Sequence, residues 1–257
     1  MKKWKLLFAS LPIVLVVLAA KLILTEVVRF KGLMELSDIG MILTAGIFLV
    51  GLMLTGVLAD YKESEKFPAE LASSLESVEE TLVYSANSKP ALNAVELKKE
   101  LFAVSTSMYQ WFLKKVSTEE LLQIFTAFNN SIQKLEQAGI APNIVIKAMT
   151  DIQNVRKILL RINVISRTNF ISAGYSLLEL VLTLIMTLLM ITVFKGITSE
   201  VIIVFFVSLV YTYAYLLIKD IDAPFEYDQD GSVRGTEIPL FPITEYIERA
   251  KDRLEKA

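Results

Sequence analysis

A single carboxylate, Glu179, stands inside an apolar run from Phe170 to Phe194, and Ser172, Ser176, Thr183 and Thr187 share its helical face. At bilayer depth such a group costs from about 2.5 kcal/mol upward unless it is paired, hydrated or protonated. Two chemistries answer that cost. One is an ion or proton path along the polar stripe; the other is a protonated carboxyl hydrogen-bonded between helices. A second patterned stretch is Ile39 to Leu58, about 20 residues without a charge, the length a helix rising ~1.5 Å per residue needs to cross ~30 Å of hydrocarbon. Leu43, Ile47, Val50, Leu54 and Val57 give it a greasy stripe. Thr44, Phe48, Gly51, Thr55, Ala59, Lys62 and Lys66 give it a small and polar one. That second face suits close packing of a neighbouring helix or the lining of a water-filled path.

The third candidate is KDIDAPFEYDQDGSVRGTEIPL, in which Asp220, Asp222, Glu226, Asp228 and Asp230 place five carboxylates in eleven residues. In EF-hand register, Glu226, Asp228, Asp230, Gly231, Val233 and Glu237 fall at positions 1, 3, 5, 6, 8 and 12. Glu at position 1, and Pro239 in the helix that should follow, depart from that pattern. A solvated acidic turn packed on basic helices is the alternative. Calcium is the metal these oxygens would take.

The composition narrows the remaining chemistry. With no His and no Cys, imidazole acid–base work, Ser-His or Cys-His nucleophiles, disulfides and the usual zinc ligand sets are excluded. No dinucleotide, P-loop or nucleophile-elbow motif occurs. An enzyme would have to use Glu179 and nearby hydroxyls, and catalysis is not expected. Net charge is −2 with the signs interspersed, so no nucleic-acid footprint is present.

Four apolar blocks must position these residues. The chain is 54% hydrophobic, against about 45 to 50% for soluble domains. Met1 to Leu24 opens with Lys2, Lys3 and Lys5 and reads as a cleaved signal or a first membrane helix. Its apolar run continues past Ala19 and Ala20, longer than the ~7 to 15 residues of a signal, which favours the helix. Lys21 is placed to snorkel. The second span is expected to run on to Lys66, since no proline intervenes. From Asp60 to Thr168 the apolar residues recur at helical spacing. Val95, Phe102, Tyr109, Phe112 and Val116 mark one stripe, and Ser117-x-x-Glu120 caps a helix carrying Leu121, Phe125, Phe128, Ile132 and Leu135, ended by Gly139. An amphipathic helix (Ile144, Met149, Ile152, Val155, Leu159, Ile162) is expected to pass unbroken into the third span, its Arg156, Lys157, Arg161 and Arg167 meeting headgroups or drawing anions. Val201 to Ile218 is the fourth span, with Tyr211, Tyr213 and Tyr215 as an interfacial belt.

The predicted class is therefore all-α and multi-pass: a helix pair over 1–59, a helical region over 60–168, a second pair over 169–219, and an acidic loop with a C-terminal helix over 220–257. Lys and Arg number three before the first span, two in the first connector, thirteen in the helical region, one in the hairpin and six after the fourth span. That asymmetry places both termini and the helical region on the cytoplasmic side of a cell membrane.

This layout, with ADYKESEKFPAEL after the second span and LLIKDIDAPFEY after the fourth, resembles the bestrophin-like membrane proteins, distant relatives of the bestrophin chloride channels. The resemblance implies a homo-oligomer, a pentamer, around a pore lined by the second span at Thr44, Phe48, Gly51 and Thr55. It also implies calcium at Asp220, Asp222, Asp228 and Asp230, although the continuous acidic run of the animal channels is missing. The expected function is passage of small ions, anions before cations, with Lys62 and Lys66 at the cytoplasmic mouth. A non-conducting scaffold whose cytoplasmic helices bind a partner is the alternative.

Overall fold

The apolar blocks and the charged middle of the chain fold as two units. A computed structural model describes residues 4–89, 91–168, 172–227, 231 and 235–256. The first unit comprises Met1–Tyr61 with Thr168–Pro224, and the second Lys62–Arg167 with Phe225–Ala257.

In the first unit α1 (Lys5–Leu22) continues through one π-helical turn, Ile23–Val27. It is followed by α2 (Leu36–Ser64), α7 (Ser172–Ile191) and α8 (Ile197–Ile221). The four helices are long and apolar enough to cross a membrane. A parallel pair of two-residue strands, β1 (Met34–Glu35) and β2 (Thr192–Val193), joins Met34 to Thr192 in register. The core lies where α2, α7 and α8 meet, at Ile39, Val50, Val57, Ile185, Leu189 and Ile218. Gly46 permits that approach: a Cβ there would stand 2.6 Å from Ile185 Cδ1 and 2.8 Å from the Tyr211 hydroxyl.

The second unit holds α3 (Phe67–Ser88), α4 (Ala94–Phe112), α5 (Thr118–Gln137), α6 (Pro142–Arg167) and α9 (Phe241–Glu255). Pro68 sits in the first turn of α3, where its missing N–H costs nothing. Ser117 caps α5 by accepting from the Glu120 backbone N–H at 3.1 Å, and Gly139 ends that helix at φ +73°. All five members of the predicted α5 stripe are buried.

Several expectations are corrected. Helix α2 ends at Ser64, so Lys66 lies beyond it and precedes α3. Its buried face runs through Gly46, Val50, Met53 and Val57, while Ile47 is exposed. On α4 the packed stripe is Leu97, Leu101, Val104, Met108 and Phe112; of the expected stripe only Phe112 belongs to it, since Val95, Phe102 and Tyr109 lie on an adjacent half-buried face about 100° round the helix and Val116 lies beyond its end. On α6, Val145 and Ala148 are buried where Ile144 and Met149 were expected. The expected unbroken passage from α6 into the third span is interrupted: α6 ends at Arg167, Thr168 is non-helical, and α7 begins at Ser172. Lys21 does not snorkel: it is 3% exposed and donates to the carbonyls of Met190 at 3.1 Å and Thr192 at 2.7 Å. Two of the three belt tyrosines are packing residues. Tyr211 is buried and donates to the Leu43 carbonyl, and Tyr215 donates to Glu179.

Candidate functional site

The α2 stripe named from the sequence faces outward. Thr44, Phe48, Gly51 and Thr55 are all exposed, Phe48 by 67%, and among the described residues no other element of their unit covers them. Helical periodicity explains the arrangement. Val50, Met53 and Val57 take the packed side, which leaves the small and hydroxylated residues on the other. The two threonines are satisfied within the helix, Thr44 donating to the Gly40 carbonyl at 3.0 Å and Thr55 to that of Gly51 at 2.8 Å. Their hydroxyls are therefore compatible with lipid as well as with water. No Cβ contact would arise at Gly51, so its lack of a side chain keeps the face shallow rather than admitting a neighbour from within the unit. Lys62 closes the helix, its ammonium 2.7 Å from the Glu65 carboxylate, with both side chains exposed.

The stripe on α7 faces outward as well. Glu179, Thr183 and Thr187 are exposed, and each threonine donates to the carbonyl four residues before it at 2.8 Å. Glu179 differs from the threonines in that an ionised carboxylate has no donor of its own to satisfy internally. Its Oε1 accepts from the Tyr215 hydroxyl on α8 at 2.6 Å. That bond was not foreseen from sequence. The signal available was Tyr215 itself, an aromatic with a polar tip on the neighbouring apolar helix.

A buried charge cluster escaped the sequence reading altogether. Lys21 and Glu200, 4% exposed, stand 4.0 Å apart, and Thr25 donates to the same Glu200 oxygen at 2.7 Å. With the two carbonyls already named, this pins α1 to the start of α8 and to the strand pair.

Of the acidic residues, Asp222 accepts from the Tyr175 hydroxyl at 2.8 Å, and Asp220 lies in the last turn of α8. Asp228, Asp230 and Val233 lie outside the described residues. Among the described residues no group of three or more His, Asp or Glu is placed to hold a metal ion. What anchors the loop in the second unit is aromatic: Phe225 stacks on Phe67 at 6.4 Å and tilts on Phe112 at 6.0 Å, and Tyr227 donates to the Ile238 carbonyl at 2.6 Å. In the same unit the helical core carries its own polar network. Glu79 accepts from Arg253 at 2.7 and 2.8 Å and from Tyr246 at 3.2 Å. Burial, and then the Glu79 carboxylate, push the Tyr246 phenol far above its ordinary range.

No protein-family model matches the chain, and no curated protein does. Solved structures match over its whole length. A bacterial bestrophin homologue from Klebsiella pneumoniae aligns with TM-score 0.75 at 14% identity, covering 96% of this chain and 97% of that one. A point variant of that homologue aligns with TM-score 0.76 at 14% identity over 98% of this chain and 100% of the other. A further structure, described as a membrane protein variant, gives TM-score 0.71 at 15% identity, over 97% and 98% of the two chains. The chain thus has the fold of the bacterial bestrophin homologues, as its layout suggested, and it is an all-α membrane protein.

Proposed function

We propose that the protein is an oligomeric channel-like membrane protein that passes small ions, anions before cations, through a path lined by α2. The observation that carries this reading is the uncovered face at Thr44, Phe48, Gly51 and Thr55 on a helix long enough to span. Copies of the chain arranged about an axis, as a pentamer or another closed ring, bring that face to a common centre. There Phe48 narrows the path and makes it a dewetting constriction, with threonine hydroxyls above and below it. Lys62 and Lys66, the first basic residues after the span, raise the anion concentration at the mouth. Both termini and the second unit face the cytoplasm, by the excess of Lys and Arg next to the spans on that side.

The test is flux into liposomes reconstituted with the full chain. Chloride should move down its gradient, and Phe48→Ala should raise the rate several-fold while the protein remains folded. An unchanged rate removes Phe48 from the path. Absence of flux in the wild type transfers the reading to a membrane scaffold.

A further inference from the structure

The second unit contains a concave basic site that ion passage does not use. Where the α4–α5 turn meets the last turn of α6, a cavity of about 630 Å³ has Lys114, Lys115 and Arg167 in its lining together with the apolar groups of Trp111, Ile162 and Phe225. The three cations come from two segments far apart in sequence, so their convergence is a product of the fold.

Lys114 is the most informative of them. The N–H of Lys115 bonds the Gln110 carbonyl at 3.0 Å and the N–H of Lys114 bonds that of Trp111 at 2.9 Å, the Schellman arrangement, with Lys114 itself at φ +58°. Helix α5 ends in the same way: Ile140 bonds Leu135 at 3.1 Å and Gly139 bonds Glu136 at 2.9 Å, with glycine at φ +73°. Folding alone favours glycine at such a position. At the end of α4 a lysine occupies it instead.

The cations are not absorbed by the protein's own acids. Lys114 stands 3.7 Å from Glu226, but both side chains are 67% exposed, a pairing worth little. Among the described residues Lys115 and Arg167 form no salt bridge, although Glu120 shares the cavity rim. The indole in the lining is held in place: Trp111 Nε1 donates to Thr118 Oγ1 at 3.0 Å, and Thr118 donates to Asn163 at 3.3 Å. A ligand that satisfies both kinds of lining group carries an anionic group with several acceptor oxygens next to an apolar body.

We infer that this cavity binds a phosphoryl group, with Arg167 and Lys115 gripping its oxygens, Lys114 adding charge at the rim and Trp111 and Phe225 covering the attached apolar part. Two sources offer the phosphoryl group, an acidic phospholipid headgroup and free phosphate, and only the first also brings an apolar part to the aromatic lining. The site is separate from the α2 face and does not depend on it.

The experiment uses the purified full chain, stripped of lipid in detergent. It is offered phosphatidylglycerol or phosphatidylcholine, with retention read by native mass spectrometry, and separately titrated with inorganic phosphate by calorimetry. Wild type should retain phosphatidylglycerol in preference to phosphatidylcholine if the source is lipid, or bind phosphate without lipid if the source is free. In either case Lys115→Gln with Arg167→Gln should weaken binding about tenfold or more. Lys114→Gly guards against a folding artefact, because relief of the left-handed lysine should raise the unfolding temperature while binding falls several-fold. Equal retention of the two lipids together with no phosphate binding overturns the inference, as does equal affinity in wild type and variants.

Discussion

The two units treat the same kinds of residue in opposite ways. In Met1–Tyr61 with Thr168–Pro224, large apolar side chains such as Phe8, Phe48, Leu180 and Phe206 point outward, each more than 60% exposed. In Lys62–Arg167 with Phe225–Ala257, Phe125, Phe128, Leu75 and Met108 are buried. The second unit has a buried apolar core, held by burial of apolar area at roughly 25 cal/mol per Å². The first has no such drive on its outer surface, because lipid is as apolar as leucine. Its helices are held by close approach at Gly46, by the Lys21–Glu200 cluster and by tyrosines that reach carbonyl and carboxylate partners. Polar side chains left on that outer surface therefore need an explanation that those of the second unit do not. Threonine hydroxyls bonded to their own helix are tolerated in lipid. Glu179 is the group that calls for water, a proton or a second chain.

One deletion made on both sides of this divide tests it most severely. Phe125→Ala opens a cavity in a packed core and should cost about 4 kcal/mol, visible as a fall in the unfolding temperature of the helical unit. Phe48→Ala removes the same atoms from an uncovered face and should leave the unfolding temperature of a detergent-solubilised protomer within about 1 °C. Comparable losses for the two would mean that the α2 face is packed after all. A smaller but still large effect is expected for Lys21→Met, which leaves Glu200 buried with only Thr25 as a donor; loss of one partner of a buried pair costs about 3 kcal/mol. Joint replacement, Lys21→Met with Glu200→Met, should recover most of that loss. Thermal unfolding of the single and double variants in one detergent measures the coupling.

Sequence periodicity made the α5 stripe, its serine cap and its glycine stop legible, because each is a local signal decided within one or two helical turns. On α2 it set Thr44, Phe48, Gly51 and Thr55 apart from Val50 and Val57, but it counted the exposed Ile47 with the packed face and missed Gly46 and Met53 there. What it missed has a common cause. Lys21 looks like a snorkelling residue from its own helix, and only the carbonyls of Met190 and Thr192 and the carboxylate of Glu200, all supplied from distant sequence, turn it inward. Tyr211 and Tyr215 look interfacial for the same reason, since their partners Leu43 and Glu179 lie on other helices. The acidic loop misled in a different way. Its carboxylates dominate the composition, but Phe225 and Tyr227 hold it down, and two aromatics among five acids give no periodic signal. The α4 stripe failed because two adjacent faces of that helix are both apolar, Leu97 to Phe112 on one and Val95, Phe102 and Tyr109 on the other, and periodicity alone does not say which of the two packs.

Tyr246 shows most finely how the helical unit keeps its polar groups to itself. Its phenol is fully buried against Glu79, which Arg253 also grips while bonding Glu76 at 2.8 Å. Near neutral pH, Tyr246→Phe should cost about 1.5 kcal/mol, the lower end for a hydrogen bond to a charged group, because the Glu79 carboxylate keeps its arginine. Alkaline pH separates wild type from variant in another way. Burial and the adjacent carboxylate hold the folded phenol's proton above the unfolded value of about 10, so over that window the folded form binds more protons than the unfolded one. The tyrosine's contribution is complete below about pH 10 and is lost as pH rises beyond it. Between pH 9 and 11.5 the unfolding temperature of the wild type should therefore fall more steeply than that of Tyr246→Phe, since lysine titration is common to both. Parallel slopes would mean that the phenol is hydrated, and that this unit is less closed to water than its apolar core implies.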